Sequence, residues 1–375
     1  KAYLNEEKKE NASLALLGEL DALRIPEHAY VNPETDAAHC CGHHAQMAGI
    51  FGAALALTVP EIAEKLGGQV VFFATPAEEY GEIEFKNQLR EQGKIRYGGG
   101  KCELIRTGAF DDIDLCLAHH IRPGDEIQVG SGTGNGFVSK VIRYLGKAAH
   151  AAGAPDKGVN ALSAASLGLQ ALGLNRETFR DEDCVRVHPI ITKGGNLVNV
   201  IPDEIVIETL VRAKTIEAFT DAAKKTDRSF QAGAVAMGAK VEITTLPGYL
   251  PTLAEQALPE LKRAAELAAP EVPVREAAGH SGGSTDVGDV QHLMPVYTFN
   301  TGGVKGGLHQ INFEVTNEEE AYIDTAKMFA LAAYGLLKEK AARSKELVKN
   351  YKPVFKDSAE YTKFMEQFDS KEVLD

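Results

Sequence analysis

A chain of 375 residues has room for two or three domains at roughly 100–200 residues each. With 44% hydrophobic and 25% charged residues it is not a largely disordered chain, and it can bury a sizeable core. A formal net charge of −13 repels phosphate backbones, so nucleic acid is not expected as a partner.

The richest apolar stretch, residues 47–59, falls short of the roughly 17–25 residues that cross a bilayer, so no membrane partner is expected. The sequence starts at Lys1, and its opening residues lack the pattern expected of a signal peptide. The five cysteines are too few and too odd for a disulfide framework, which favours a reducing cytoplasm.

Residues 12–21 (ASLALLGELD) read as a buried strand ending in Glu19 and Asp21. From Cys41 onward the sequence is helix-like, with histidines at the first turn and Met47, Ile50, Phe51 and Leu55 on one stripe. A short helical segment at 60–66 leads to a second buried strand, QVVFFA at 69–74, which runs into TPAEE. The stretch 82–108 is mixed and charged. Its GGGK at 98–101 lacks phosphate-loop spacing and reads as a flexible loop. IDLCLA at 113–118 is a third buried strand and ends in His119-His120.

Three such strands separated by helical stretches predict an α/β fold: a mostly parallel sheet with helices on both faces. After the glycine-rich linker near residue 130 the pattern changes. Alternating segments at 139–146 and 204–213, helical stretches at 158–173 and 216–238 and a strand at 241–245 predict an inserted α+β domain over 133–247. It interrupts a catalytic domain made of 1–132 and 248–345. In the second part a helix over 253–269, a strand at 294–301 and one long helix over 318–350 are expected, the last with acidic residues first and basic residues last. Residues 346–375 read as a charged C-terminal extension.

Ligands of α/β sheets bind beyond the carboxyl ends of the strands. There the sequence delivers Glu19/Asp21, Glu78/Glu79, His119/His120 and, after a loop, His309; a helix start adds Cys41 and His43. Thiolate, imidazole and carboxylate together suit zinc, manganese or cobalt rather than calcium or magnesium. Gly42 lets Cys41 and His43 turn toward one centre, and a helix N-terminus favours the Cys41 thiolate. Neighbouring Glu78 and Glu79 point in different directions, so one can hold metal while the other serves as a general base. Cys40, Cys102, Cys116 and Cys184 read as core, and His28, His188 and His292 as satisfied or surface histidines.

These residues fall in recognisable motifs. HCCGHH at 39–44 resembles the H-x-C-G-H signature of the amidohydrolase branch of the aminoacylase/carboxypeptidase-type dinuclear metallopeptidases. That branch includes auxin-conjugate, hippurate and aminobenzoyl-glutamate hydrolases. GELDAL at 18–23, TPAEE at 75–79, GKAAHAAGAPDKGVNAL at 146–162, GGNLVNVIPDE at 194–204, GGSTDVGDV at 282–290 and GGLHQ at 306–310 are similar to its other motifs, in order. Glu19 for the commoner Asp, Arg24 for Pro and His44 for Asp are departures from its pattern.

The resemblance implies two divalent transition metal ions (Mn, Zn or Co) held by Cys41, His43, Glu79, His120 and His309. His120 is preferred to His119 because Pro123 follows it at the family's spacing. It implies Glu78 as general base, Asp21 as the carboxylate that orients a ligand, and His150 as a donor to the oxyanion of a neighbouring subunit's substrate. It places Asn199 and Arg212 near the substrate carboxylate, on an inserted lid that also forms a homodimer. The implied activity is hydrolysis of N-acyl amino acids or small peptide-like amides. A dipeptidase or carboxypeptidase of the same fold and a catalytically silent metal-binding scaffold are the alternatives.

Overall fold

The computed structural model describes residues 1–374. Seven strands form the larger sheet, in the order Ala2–Leu4, Gln69–Thr75, Ser13–Glu19, Leu115–Ile121, Val296–Thr301, Ile127–Val129, Val274–Glu276. The central strands run parallel, with Glu19 level with Thr75 and His120 level with Asn300, so their carboxyl ends open at one edge. Strand alternation feeds two apolar layers. Leu14, Leu16, Val70 and Leu117 face the helices His43–Leu57, Pro259–Ala268 and Thr325–Asn350. Ala15, Leu17, Val71, Phe73 and Cys116 face the opposite side, which the helices Gly100–Arg106, Val287–Gln291 and Ser358–Met365 cover. The chain is thus α/β with helices on both faces.

The second sheet is antiparallel, built on Arg186–Val187, Glu204–Ala213, Gly136–Leu145, Lys240–Tyr249 and Ser370–Leu374 in that order, with Ile190–Lys193 also paired to Glu204–Ala213. The helices Ala161–Asn175 and Ile216–Met237 pack on it, each started by a side-chain cap from Asn160 or Thr215.

Four expectations need correction. Residues 346–375 are more than a charged extension. They form the Ser358–Met365 helix and the Ser370–Leu374 edge strand, and bury Phe355, Tyr361, Met365 and Phe368, because aromatic residues spaced among the charges supply an apolar face. The first helix turns Phe51 and Leu55 outward, at 68% and 61% exposure. Its packing face is set instead by small residues: a Cβ on Gly49 would lie 2.4 Å from Thr325 and one on Gly52 2.6 Å from Ala326. The 253–269 helix starts only at Pro259. The long helix opens with a π-helical turn over Glu319–Asp324 and breaks at 338–341, where Glu339, Lys340 and Ala341 take positive φ. There the turn at Gly67 meets it end-on, Gly67 N donating to Leu337 O at 2.6 Å.

Candidate metal centre and active site

Each candidate donor is delivered by a structural necessity. Gly42 caps the first helix at φ 95°, where a Cβ would lie 2.1 Å from Ile121. Cys41 and His43 therefore flank a turn closed against the strand that carries His120. Along that strand His120 turns toward Cys41, with Nε2 3.4 Å from Sγ, while His119 turns the other way to Thr301 and Thr325. The TPAEEY turn holds Ala77 and Tyr80 at φ 57° and 50°. Such backbone costs about 1–3 kcal/mol per residue and persists only where the surroundings impose it. Here Tyr80 is pinned by its hydroxyl donating to Pro247 O at 2.6 Å and by the rings of Phe137 and Tyr249. His309 is also left-handed, φ 62°, its amide donating to Cys40 O.

The donors converge. His309 Nε2 lies 3.2 Å from Cys41 Sγ and 3.4 Å from Glu79 Oε1, and His43 Nε2 lies 3.8 Å from the same Glu79 oxygen. Cys41, His43 and His120 form one compact triad and Cys41, Glu79 and His309 another, with Cys41 in both. Asp21 braces them: its Oδ2 accepts from the Glu79 amide at 2.9 Å, and His43 Nδ1 faces Asp21 O at 2.9 Å and Oδ1 at 3.4 Å. Glu78 groups with Glu19 and His43 within 4.8 Å.

A divalent cation fits this donor set. His43 Nε2 and Glu79 Oε1 are buried 3.8 Å apart with no well-aligned hydrogen bond, and Glu19 Oε2 and His309 Nε2 crowd the same space at 3.1 and 3.4 Å from them, respectively. The expected bias of Cys41 toward thiolate is reversed by its neighbours: burial, then Glu79, push its thiol well above the usual range. Carboxylates outweigh the helix start, so a thiolate here calls for a cation between them. Burial, then Glu19 and Asp286, also raise Glu78 well above a usual carboxylate. Burial opposes the ionisation of Asp21, but the hydrogen bond from His43 and the Glu79 amide hold its carboxyl low.

The residues expected on a lid are placed differently. Arg212 on the Glu204–Ala213 strand reaches Ser284 Oγ at 3.4 Å and feels the charges of Glu78 and Glu79. His150 and Asn199 are exposed and adjacent, Ala151 N donating to Asn199 O, and neither joins the donor cluster. His28 and His292 are buried and satisfied by backbone carbonyls, and His188 is exposed. Sequence reasoning missed Lys101, which is fully buried. Its GGGK run is the start of the Gly100–Arg106 helix rather than a loop, and only the run of glycines signalled a close approach.

Between residues 15 and 334 the chain matches the model of peptidase family M20/M25/M40. It belongs to this family. Like other M20/M25/M40 members it is a metal-dependent hydrolase of amide bonds. A mouse (Mus musculus) Xaa-Arg dipeptidase is 28% identical over 325 residues, covering 84% of this chain and 67% of the relative. A Bacillus subtilis N-acetyl-L-cysteine deacetylase is 31% identical over 216 residues, 55% of this chain and 46% of the relative. A crystal structure of a dinuclear metal binding peptidase from Bacillus subtilis superposes with TM-score 0.57 at 22% identity, over 87% of this chain and 82% of that one. Its likeness supports the fold already described. No helix among the described residues is long and apolar enough to cross a membrane.

Proposed function

We propose that the chain hydrolyses the amide bond of N-acyl amino acids or small peptide-like amides with a free carboxylate, using two divalent transition metal ions (Mn, Zn or Co) held by Cys41, His43, Glu79, His120 and His309. The observation that carries this reading is the pair of donor triads sharing Cys41 beside Glu78. Such ions, when bound, polarise the scissile carbonyl and acidify the attacking water.

This chain's own residues do the rest. Glu78 takes a proton as the water oxygen bonds to the carbonyl carbon, then returns it to the amine as the C–N bond breaks. Burial beside Glu19 and Asp286 makes its carboxylate eager for that proton. Asp21 orients His43 and Glu79. Arg212, facing the glutamate pair from the lid, pairs with the substrate carboxylate, and Asn199 adds a polar contact.

His150 acts on the neighbouring copy's substrate in a lid-mediated homodimer. Its Nδ1 accepts from the amide of Gly153 at 3.0 Å, which leaves Nε2 as the donor for an oxyanion. The edge strand Ile190–Lys193 and the loop after it expose Ile190, Ile191, Leu197 and Val198, an apolar patch suited to a second copy. The five free cysteines suit a reducing cytoplasm.

A second reading, dipeptide hydrolysis, is favoured by the mouse Xaa-Arg dipeptidase, whose similarity runs along 84% of this chain. The test is turnover by protein loaded with Mn²⁺, Zn²⁺ or Co²⁺ on a panel of N-acyl amino acids and Xaa-Arg dipeptides, with and without chelator. Acyl-amino-acid hydrolysis abolished by chelator is expected. Activity confined to dipeptides selects the second reading, and no activity on any member leaves a metal-binding scaffold.

A further inference from the structure

A lysine with no exposed surface lies directly behind the proposed metal centre. Lys101 Nζ is 2.6 Å from Glu19 Oε1 and 2.5 Å from Asp286 Oδ1. The Lys101 amide donates to the other Asp286 oxygen at 2.8 Å. All three side chains are buried, at 0%, 7% and 0% exposure. Taking three charges out of water is costly, and an apolar trio of the same volume is often no less stable. The ionic arrangement therefore calls for a reason beyond stability.

Its position supplies one. Glu19 does not end at Lys101. Its Oε2 accepts from Gln46 Nε2 at 2.8 Å and lies 3.1 Å from His43 Nε2, the nitrogen that faces the donor cluster. Glu19, His43 and Glu78 offer atoms within 4.8 Å of one another, so two carboxylates compete for one place beside one imidazole. The approach of Lys101 is itself built. A Cβ on Gly98 would lie 2.7 Å from the Tyr80 ring, one on Gly99 2.2 Å from Tyr249, and one on Gly100 1.5 Å from Pro76 O. The three glycines let the helix start press against the TPAEEY turn and drive the lysine under it.

We propose that Lys101 is a positioning residue for the hydrolytic reaction: anchored by Asp286, it holds Glu19 as a fixed wall of the cluster, so that Glu78 alone is free to carry the proton. The assignment rests on the hydrolase reading above and names a residue outside its ligand set. A freed Glu19 would be able to turn into the donor cluster and crowd Glu78, with which it already shares His43.

The experiment compares wild type, Lys101→Met and Lys101→Met/Asp286→Asn, each loaded with Co²⁺. The double variant removes one charge of each sign and so keeps the cluster's net charge. It reads kcat and KM separately, together with Co²⁺ affinity and the visible Co²⁺ spectrum. Both variants are expected to lose roughly 10–100-fold in kcat, with KM within about threefold of wild type and an altered spectrum, as losses of groups that orient metal ligands do. A folded variant with wild-type kcat and spectrum would make Lys101 a packing residue and overturn the assignment. Should both variants fail to fold, the isosteric Glu19→Gln is read instead, where a kcat fall of the same size supports the assignment and an unchanged kcat overturns it. A wild-type chain that binds no Co²⁺ would strike the hydrolase reading itself, and the assignment with it.

Discussion

At the scale of single residues, the site depends as much on absent side chains as on present ones. Gly100 has ordinary helical placement, yet a methyl group there would meet Pro76 O at 1.5 Å. Pro76 opens the turn that carries Glu78 and Glu79, so the clash falls on the proposed base and its neighbouring metal ligand. Gly100→Ala is expected to lower stability by about 1–3 kcal/mol, the usual cost of overpacking, and to reduce kcat at least tenfold in the protein that still folds. Thermal unfolding and turnover, measured together, check this; unchanged turnover would mean that the turn tolerates displacement.

The convergence of the proposed donors and base was legible in the sequence because short motifs carry them: Cys41 and His43 around Gly42, Glu78 beside Glu79, and His120 three residues before Pro123. Lys101 was not. A lysine after three glycines looks solvated, and its partners lie 82 and 185 positions away, so only the fold reveals that it is buried between two acids.

At the scale of elements, the strands before the site read well and the joints between elements did not. Continuous apolar runs such as LALLG and VVFF mark strands buried on both faces. The break at 338–341 had no glycine or proline to announce it; the sequence there, KEKA, favours helix. It arises from a tertiary approach, the Gly67 turn meeting Leu337.

One joint makes a prediction with a definite sign. Glu255 bridges to Ser131 through backbone hydrogen bonds, and burial of its side chain raises its pKa to about 7. A carboxyl whose folded pKa lies above its unfolded value, near 4.5, favours the folded state while protonated. That contribution is present at pH 4, declines as pH rises from about 4.5 to about 7, and is gone above it. Glu255→Gln removes the charge. It should raise stability at pH 8 by about 2 kcal/mol for a partly solvated carboxyl and change it little at pH 4. Denaturant unfolding at the two pH values checks this, and an equal effect at both would refute the burial argument.

At the scale of the whole molecule, the C-terminal segment returns to add a strand to the second sheet and a covering helix to the first. Its last strand, Ser370–Leu374, pairs with Lys240–Tyr249, and Tyr361 donates to Asp289 Oδ1 at 2.8 Å, just behind the segment that holds Asp286. Composition could announce neither pairing, because charged residues dominate that stretch and a few aromatics do the burying. The proposed centre likewise draws donors from Cys41 to His309, and a helix start and a loop meet there with strand ends brought level by the parallel register.

The claim that these donors hold divalent ions while Glu78 moves the proton is tested most directly by one comparison. The metal content and turnover of Glu78→Gln are measured beside those of wild type, after loading with Co²⁺. Glu78→Gln should keep the same metal load as wild type, two ions per chain being expected of both, with turnover lower by roughly 10²–10⁴-fold, the usual contribution of a general base. Turnover within tenfold of wild type at the same metal load would contradict the account.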